Sequence, residues 1–391
     1  MGVINEAKKL MKQNIREYGM YIALVVIMLT FSIATDGLFM SSRNISNLIN
    51  QTGYIAVLAV GMTLILIIRH IDLSVGFVAG FLGAVAAILL TKAAMPVWAT
   101  IFIVLAGGAL IGVFIGFLVT RMGIPSFVAT LAGMLVFRGA LLRVTSGTGT
   151  IIIPNKSFNA IGNGFIPDIA HISGIHTLTL VIGVVAIGLY IWSEINSRRD
   201  KLKYNFEVLS TLMFTIKLLF VSSVIGYITW TLSGYNGLSW TVIVVIIVVL
   251  IYNFITNKTV LGRHIYAVGG NPDAAKLSGI NVNKITLIVF SSMSMLAALS
   301  GILFTARLQS ATTTAGTLFE LDAIAAAYVG GVSAAGGVGK VTGSIIGAFV
   351  MASLINGMNL MGVDISYQYI IRGAVLVAAV IFDVKTRNKK A

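Results

Sequence analysis

The sequence predicts an all-α polytopic membrane protein of about 10–12 transmembrane helices, with broken or re-entrant segments and one short cytoplasmic helix. Three observations carry this. Only 10% of the 391 residues are charged and mean hydropathy is +0.97, against roughly 25% charged residues in a soluble globular chain. Apolar runs near the ~20 residues a bilayer-spanning helix needs recur throughout, and the ~10-residue alternating segments of a barrel do not. The 41 glycines include Gly108, Gly112 and Gly116 at four-residue spacing, the pattern that lets helices approach closely in lipid.

Twelve apolar runs follow in order: 20–35, 53–69, 75–91, 97–120, 124–142, 174–192, 208–232, 239–255, 285–307, 322–338, 341–361 and 367–383. The N-terminal residues 1–19 form a basic lead into the first run with no small-residue cleavage site behind it, which predicts a retained segment. Sixteen of the 27 Lys and Arg fall in four clusters: Lys8, Lys9, Lys12, Arg16; Arg198, Arg199, Lys201, Lys203; Lys258, Arg263, Lys276, Lys284; and Lys385, Arg387, Lys389, Lys390. Each abuts an apolar run, the distribution expected when those segments face the cytoplasm. The net charge of +14 is therefore a topology signal and not a nucleic-acid surface. The 143–173 loop, whose basic residues are Arg143 and Lys156, is then external. The cytoplasmic parts of this single 1–391 domain are 1–19, the charged insert 193–207, the 256–284 loop and the tail 384–391. Both termini lie inside. Run 322–338, rich in Ala and Gly, has little hydrophobic drive and weak helix propensity, so it is expected to be broken or buried among other helices.

Four features bear on chemistry. Asp72, in "RHIDLSVG", is an acid close to apolar interior, and two readings stay open. It either serves the translocation pathway with Ser74, or caps the helix starting near Leu73 and pairs with Arg69 or His70 at the surface. "GGVSAAGGVGK", 330–340, imitates a phosphate loop but fails its spacing, since Ala334 stands where the first Gly is required and Val341 follows Lys340. Arg138, Lys217, Asn356, Asn359 and Arg372 sit in apolar runs, where polar side chains tie helices together or line a pore. Asn356 and Asn359 are three apart, on one helix face. The acids are too few for an ion relay, which disfavours an ion-coupled secondary transporter or facilitator.

The fourth feature is the polar stretch 261–285. Asn271 is a cap, Pro272 a first helical residue, Asp273 an acid at the positive helix end and Gly279 a left-handed stop. They bracket a helix of about two turns, too short to stand alone in water.

"GMTLILIIRHIDLSVG" (61–76), "IPSFVATLAGMLVFRG" (124–139), "GRHIYAVGGNPDAAKLSGI" (262–280) and the long segment 320–363 together resemble the permease subunits of ABC-type monosaccharide importers, the ribose, xylose and galactose class. The resemblance implies a permease with no cofactor of its own. Its implied partners are cytoplasmic ATPase subunits that use ATP, an external sugar-binding protein, a second permease copy, and the lipid of the bacterial cytoplasmic membrane. It assigns a coupling helix, seated in a groove of the ATPase, to Asn271, Pro272, Asp273, Ala274, Ala275, Lys276, Leu277, Ser278 and Gly279. Arg69, His70 and the added 193–232 segment resemble the longer branch that handles xylose or several sugars.

Overall fold

The computed structural model describes residues 15–147, 149–169, 171–172, 174–206 and 208–388. Lys8, Lys9, Lys12, Lys389 and Lys390, part of the basis for placing the termini, lie outside them. The helices are α1 (Ile15–Ala34), α2 (Ser42–Ile67), α3 (Val75–Thr91), α4 (Val97–Thr120), α5 (Ser126–Thr145), α6 (Lys156–Asn163), α7 (Thr177–Lys203), α8 (Thr211–Ser233), α9 (Trp240–Lys258), α10 (Val260–Gly270), α11 (Pro272–Leu277), α12 (Val282–Leu308), α13 (Phe319–Val329), α14 (Val341–Leu360) and α15 (Ile365–Asn388). Among the described residues nine are long and apolar enough to cross a membrane, and α3 and the Gly19–Ala34 part of α1 are shorter apolar helices. With the eleven-residue α13 they account for the twelve apolar runs. The chain is a multi-pass membrane protein.

Helix α2 begins eleven residues before its apolar run, because its polar first third is satisfied inside the bundle. Asn44 and Asn356 exchange side-chain hydrogen bonds of 2.9 and 3.1 Å, Thr52 donates to Leu48 O at 2.7 Å, and Asn50 accepts from Ser239. Hydropathy undervalues such a segment; hydrogen bonding in a dry interior is what makes it helical.

The centre of the bundle is α12. Helix α4 crosses it antiparallel through the glycine series: a Cβ at Gly108 would lie 2.7 Å from Ala298 Cβ, at Gly112 2.6 Å from Ser291 Cα, and at Gly116 3.2 Å from Leu287 Cα. With no side chain in the way the backbones close up, and Ser291 Oγ reaches Ala109 O at 3.1 Å.

The chain is built twice around this centre, in opposite senses. In the first half α2 is followed by a non-helical link, 68–74, and the 17-residue half-helix α3; in the second, α12 is followed by the link 309–318 and the 11-residue half-helix α13. Helix α4 packs on α12, and α14 packs on α2, where Thr63 and Ser344 share a hydroxyl hydrogen bond. The two half-helices meet at their N-terminal ends, where a Cβ on Gly76 would collide with Gly316 O. Helix α13 is buried, with Ala323, Ala326 and Ala327 fully covered, and the chain leaves helical form from Gly330 to Lys340. Run 322–338 is thus broken, with its helical part enclosed and Ala334 and Val338 exposed.

Two ends of the bundle differ in character. At the strand end, β1 (Thr150–Ile152) pairs antiparallel with β4 (Ser310–Thr312), and β2 (His171–Ile172) with β3 (Ile175–His176). Asp168 accepts from the amides of Leu178 and Thr177, each at 2.9 Å, and these hold its carboxyl below the usual range. The basic end carries α10, α11 and the 330–340 segment. Helices α7 and α8 stand apart from the centre. They pack on each other at Gly183 and Thr229 and through Lys217 and Glu194, 2.8 Å apart, and most of their apolar surface faces outward.

Candidate functional site

The basic end holds two helices where the sequence suggested one. Leu261, Ile265 and Val268 recur at helical spacing, and burial of Ile265 and Val268 makes α10 a helix packed on the bundle. Thr259 caps its start, accepting from Gly262 N at 3.2 Å.

Helix α11 then starts at Asn271, whose Oδ1 accepts from the amides of Asp273 at 3.1 Å and Ala274 at 3.0 Å. Pro272 occupies its first turn, Asp273 lies toward the positive end and Lys276 toward the negative one. Gly279 has φ +81°, and the amides of Gly279 and Ile280 return to Lys276 O and Ala275 O, each at 3.0 Å, closing the helix. Ser278 Oγ donates to Ala274 O at 2.9 Å.

The six-residue helix has an inner and an outer side. Ala275, 5% exposed, faces the bundle; Asp273, Ala274, Lys276 and Ser278 face solvent, and Leu277 is 89% exposed. Burying a leucine is worth about 2 kcal/mol, so the helix presents an apolar peg flanked by one charge of each sign.

The broken-helix centre is the second cluster. Asp72 is completely buried, and its Oδ1 accepts from Ser74 N at 2.9 Å and Ser74 Oγ at 2.6 Å. It does not cap α3, whose N-cap is Ser74 with no side-chain cap bond; it closes a local turn onto Ser74 just ahead of the helix, lies in the interior and, among the described residues, makes no pair with Arg69 or His70. Its Oδ2 has no hydrogen-bond partner among the described residues, and neither has Glu320 Oε2 on the facing α13. A Cβ on Gly76 would run into that Glu320 oxygen, so the absence of a side chain there is what lets the two acidic ends approach. Asp322, 7% exposed, takes Arg372 Nη2 of α15 at 2.8 Å. A groove of about 400 Å³ opens beside this pair, walled by Thr317, Leu318, Met351, Tyr369 and Leu376.

The other four polar residues that the sequence singles out in the apolar runs find protein partners. Arg138 lies over the Phe77 ring at 5.6 Å, Lys217 pairs with Glu194, Asn356 with Asn44, and Asn359 Oδ1 accepts from Gln368 Nε2 at 2.9 Å. Asn356 and Asn359 are thus turned onto α2 and α15 respectively, and join helices. The glycine segment 330–340 is also committed: Gly337 N donates to Ile67 O at 2.8 Å, and Ser333 Oγ and Ala334 N donate to Asp383 Oδ2, each at 3.1 Å. Sequence reading missed Glu320 and Asp322, although the test that singled out Asp72, an acid beside an apolar run, applies to both.

A family model described as branched-chain amino acid transport system / permease component matches residues 44–380. The chain is 43% identical to the xylose transport system permease protein XylH of Haemophilus influenzae, over 98% of this chain and 99% of that protein. It is 39% identical to XylH of Escherichia coli K12, over 96% and 93%, and 34% identical to the ribose import permease protein RbsC of Haemophilus influenzae, over 95% and 94%. No solved structure matches the chain.

Proposed function

The chain belongs to the branched-chain amino acid transport system / permease component family, and from that premise we propose that it is the membrane permease subunit of an ATP-driven monosaccharide importer, with xylose or a related pentose or hexose as cargo. The names of the relatives, two xylose permeases and a ribose permease, support a sugar as cargo. The observation that supports the coupling to ATP is α11, a capped helix at the basic end whose outer face bears Leu277 almost wholly in solvent.

In this reading the permease holds no cofactor. ATP is bound and hydrolysed by two cytoplasmic ATPase subunits, an external binding protein delivers the sugar, and a second copy of the chain completes the pathway in the lipid of the bacterial cytoplasmic membrane. Both termini, 193–207 and 256–284 face the cytoplasm, and 143–173 faces outside. Asn271 to Gly279 form the coupling element. Leu277 enters the ATPase groove, Asp273 and Lys276 set its orientation, and Ala275 keeps α11 seated on its own bundle. Asp72 and Ser74 at the broken-helix centre, with Asn356 and Asn359 on α14, lie where helices must shift when the pathway changes its opening.

Reconstitution tests this. The chain with its ATPase and binding protein should give ATP-dependent sugar uptake, and the chain alone none. Uptake by the lone chain driven by an ion gradient would overturn the reading in favour of a secondary transporter. Leu277→Asp should leave membrane insertion intact and abolish co-purification of the ATPase; Ala275→Arg and Gly279→Val should uncouple hydrolysis from uptake.

A further inference from the structure

Arg69 follows the end of α2 with φ +64°, a left-handed conformation that non-glycine residues rarely adopt. The turn aims its side chain at the last carbonyls of α10. Nε donates to Gly269 O at 2.6 Å and Nη2 to Gly270 O. Those carbonyls close a helix and have no intrahelical donor, and a cation suits that end of the helix dipole. No carboxylate lies within ion-pair distance of Arg69 among the described residues, so its charge is directed at this helix end.

The surrounding backbone is equally tight. A Cβ on Gly269 would strike Ile67 O, the oxygen that also accepts from Gly337 N at 2.8 Å, and one on Gly336 would strike Arg69 Cγ. The ends of α2 and α10 and the 330–340 segment are therefore drawn into one knot. On one side of it the next residue is Asn271, the cap of α11. On the other, three residues on, stands Asp72 at the start of the broken-helix centre.

We infer that Arg69 is a positioning residue that clasps α10 to the α2–α3 link, so that displacement of the coupling helix is delivered to residues 70–74 and the half-helix α3. This rests on the proposed importer function and names one element of its transmission. Without the clasp the ATPase still docks on α11 and hydrolyses ATP, but α11 moves without the link.

The experiment uses the full complex of permease, ATPase and binding protein, with the wild-type complex establishing ATP-driven uptake; failure there overturns the importer reading and not the clasp. Given that activity, R69A should lower sugar moved per ATP hydrolysed by about fivefold or more, with ATPase co-purification and thermal midpoint near wild type. R69K restores one donor and should recover part of the ratio. Wild-type stoichiometry in R69A would overturn the inference. If R69A does not assemble, hydrogen exchange on the wild-type complex decides the matter. Binding of a non-hydrolysable ATP analogue should change protection of 68–74 together with that of 271–280, and a change confined to 271–280 would overturn the clasp.

Discussion

At the first break in the bundle, residues 68–74, the buried acid is held by its own neighbour: Asp72 takes the amide and hydroxyl of Ser74. At the second, Asp322 reaches across to Arg372 on α15, 2.8 Å away. The backbone plan is shared, a non-helical link leading into a half-helix, yet the first break is tied through Arg69 to the basic end and the second to a neighbouring helix. Equivalent geometry thus carries two kinds of fastening. The first link is connected to whatever moves α11, whereas the second is moored to α15.

The largest effect is expected at the second mooring. R372A leaves Asp322 buried without its cation and should cost about 4 kcal/mol of stability, read as a fall in thermal midpoint in detergent; the double variant D322L/R372M should recover much of the loss. Next comes the junction the two breaks share. G316A places a methyl group against Gly76 O at φ +85°, and should cost about 3 kcal/mol by the same measurement. At the first break, S74A removes a hydroxyl donor but leaves the backbone amide on Asp72, so about 1 kcal/mol is expected. A midpoint drop as large as that of R372A would show that the two breaks are fastened alike.

The smallest effect concerns pH. Helix α15, which carries Arg372, is preceded by Asp364, whose Oδ1 accepts from Ser366 N at 2.8 Å; the side-chain and backbone hydrogen bonds of Ser366 hold its carboxyl below the usual range. Its counterpart α5 opens at Pro125 with no side-chain cap. A carboxyl depressed in the folded state stabilises fully above its unfolded value, about pH 4, and loses that contribution as pH falls through the folded value. Acidification below that point should raise amide exchange in the first turn of α15 and leave α5 unchanged.

Much of this architecture is legible in the residues. Hydropathy locates the long helices, and Asn271, Pro272 and Gly279 mark α11, because local caps are encoded locally. The early start of α2 is not legible, since Asn44 and Asn50 are satisfied by Asn356 and Ser239, 312 and 189 residues away. The same holds for Arg69, which reads as a cytoplasmic charge until Gly269 is brought beside it. Leu277 and Ala275 differ little in sequence terms, and only packing separates the one that faces the bundle from the one that faces water. Long-range pairing, invisible to composition and periodicity, decides each of these.

Helices α7 and α8 stay at the margin, gripping each other while the glycine-lined centre closes without them. A hairpin attached in this way is an outrigger. Its outward residues have few packing partners within the described chain, so apolar exchanges there cost little, while Gly183, Thr229, Glu194 and Lys217 keep the two limbs together. Length variation in this fold is therefore best accommodated here, where a pair of crossings enters or leaves the chain without reversing the side on which it ends.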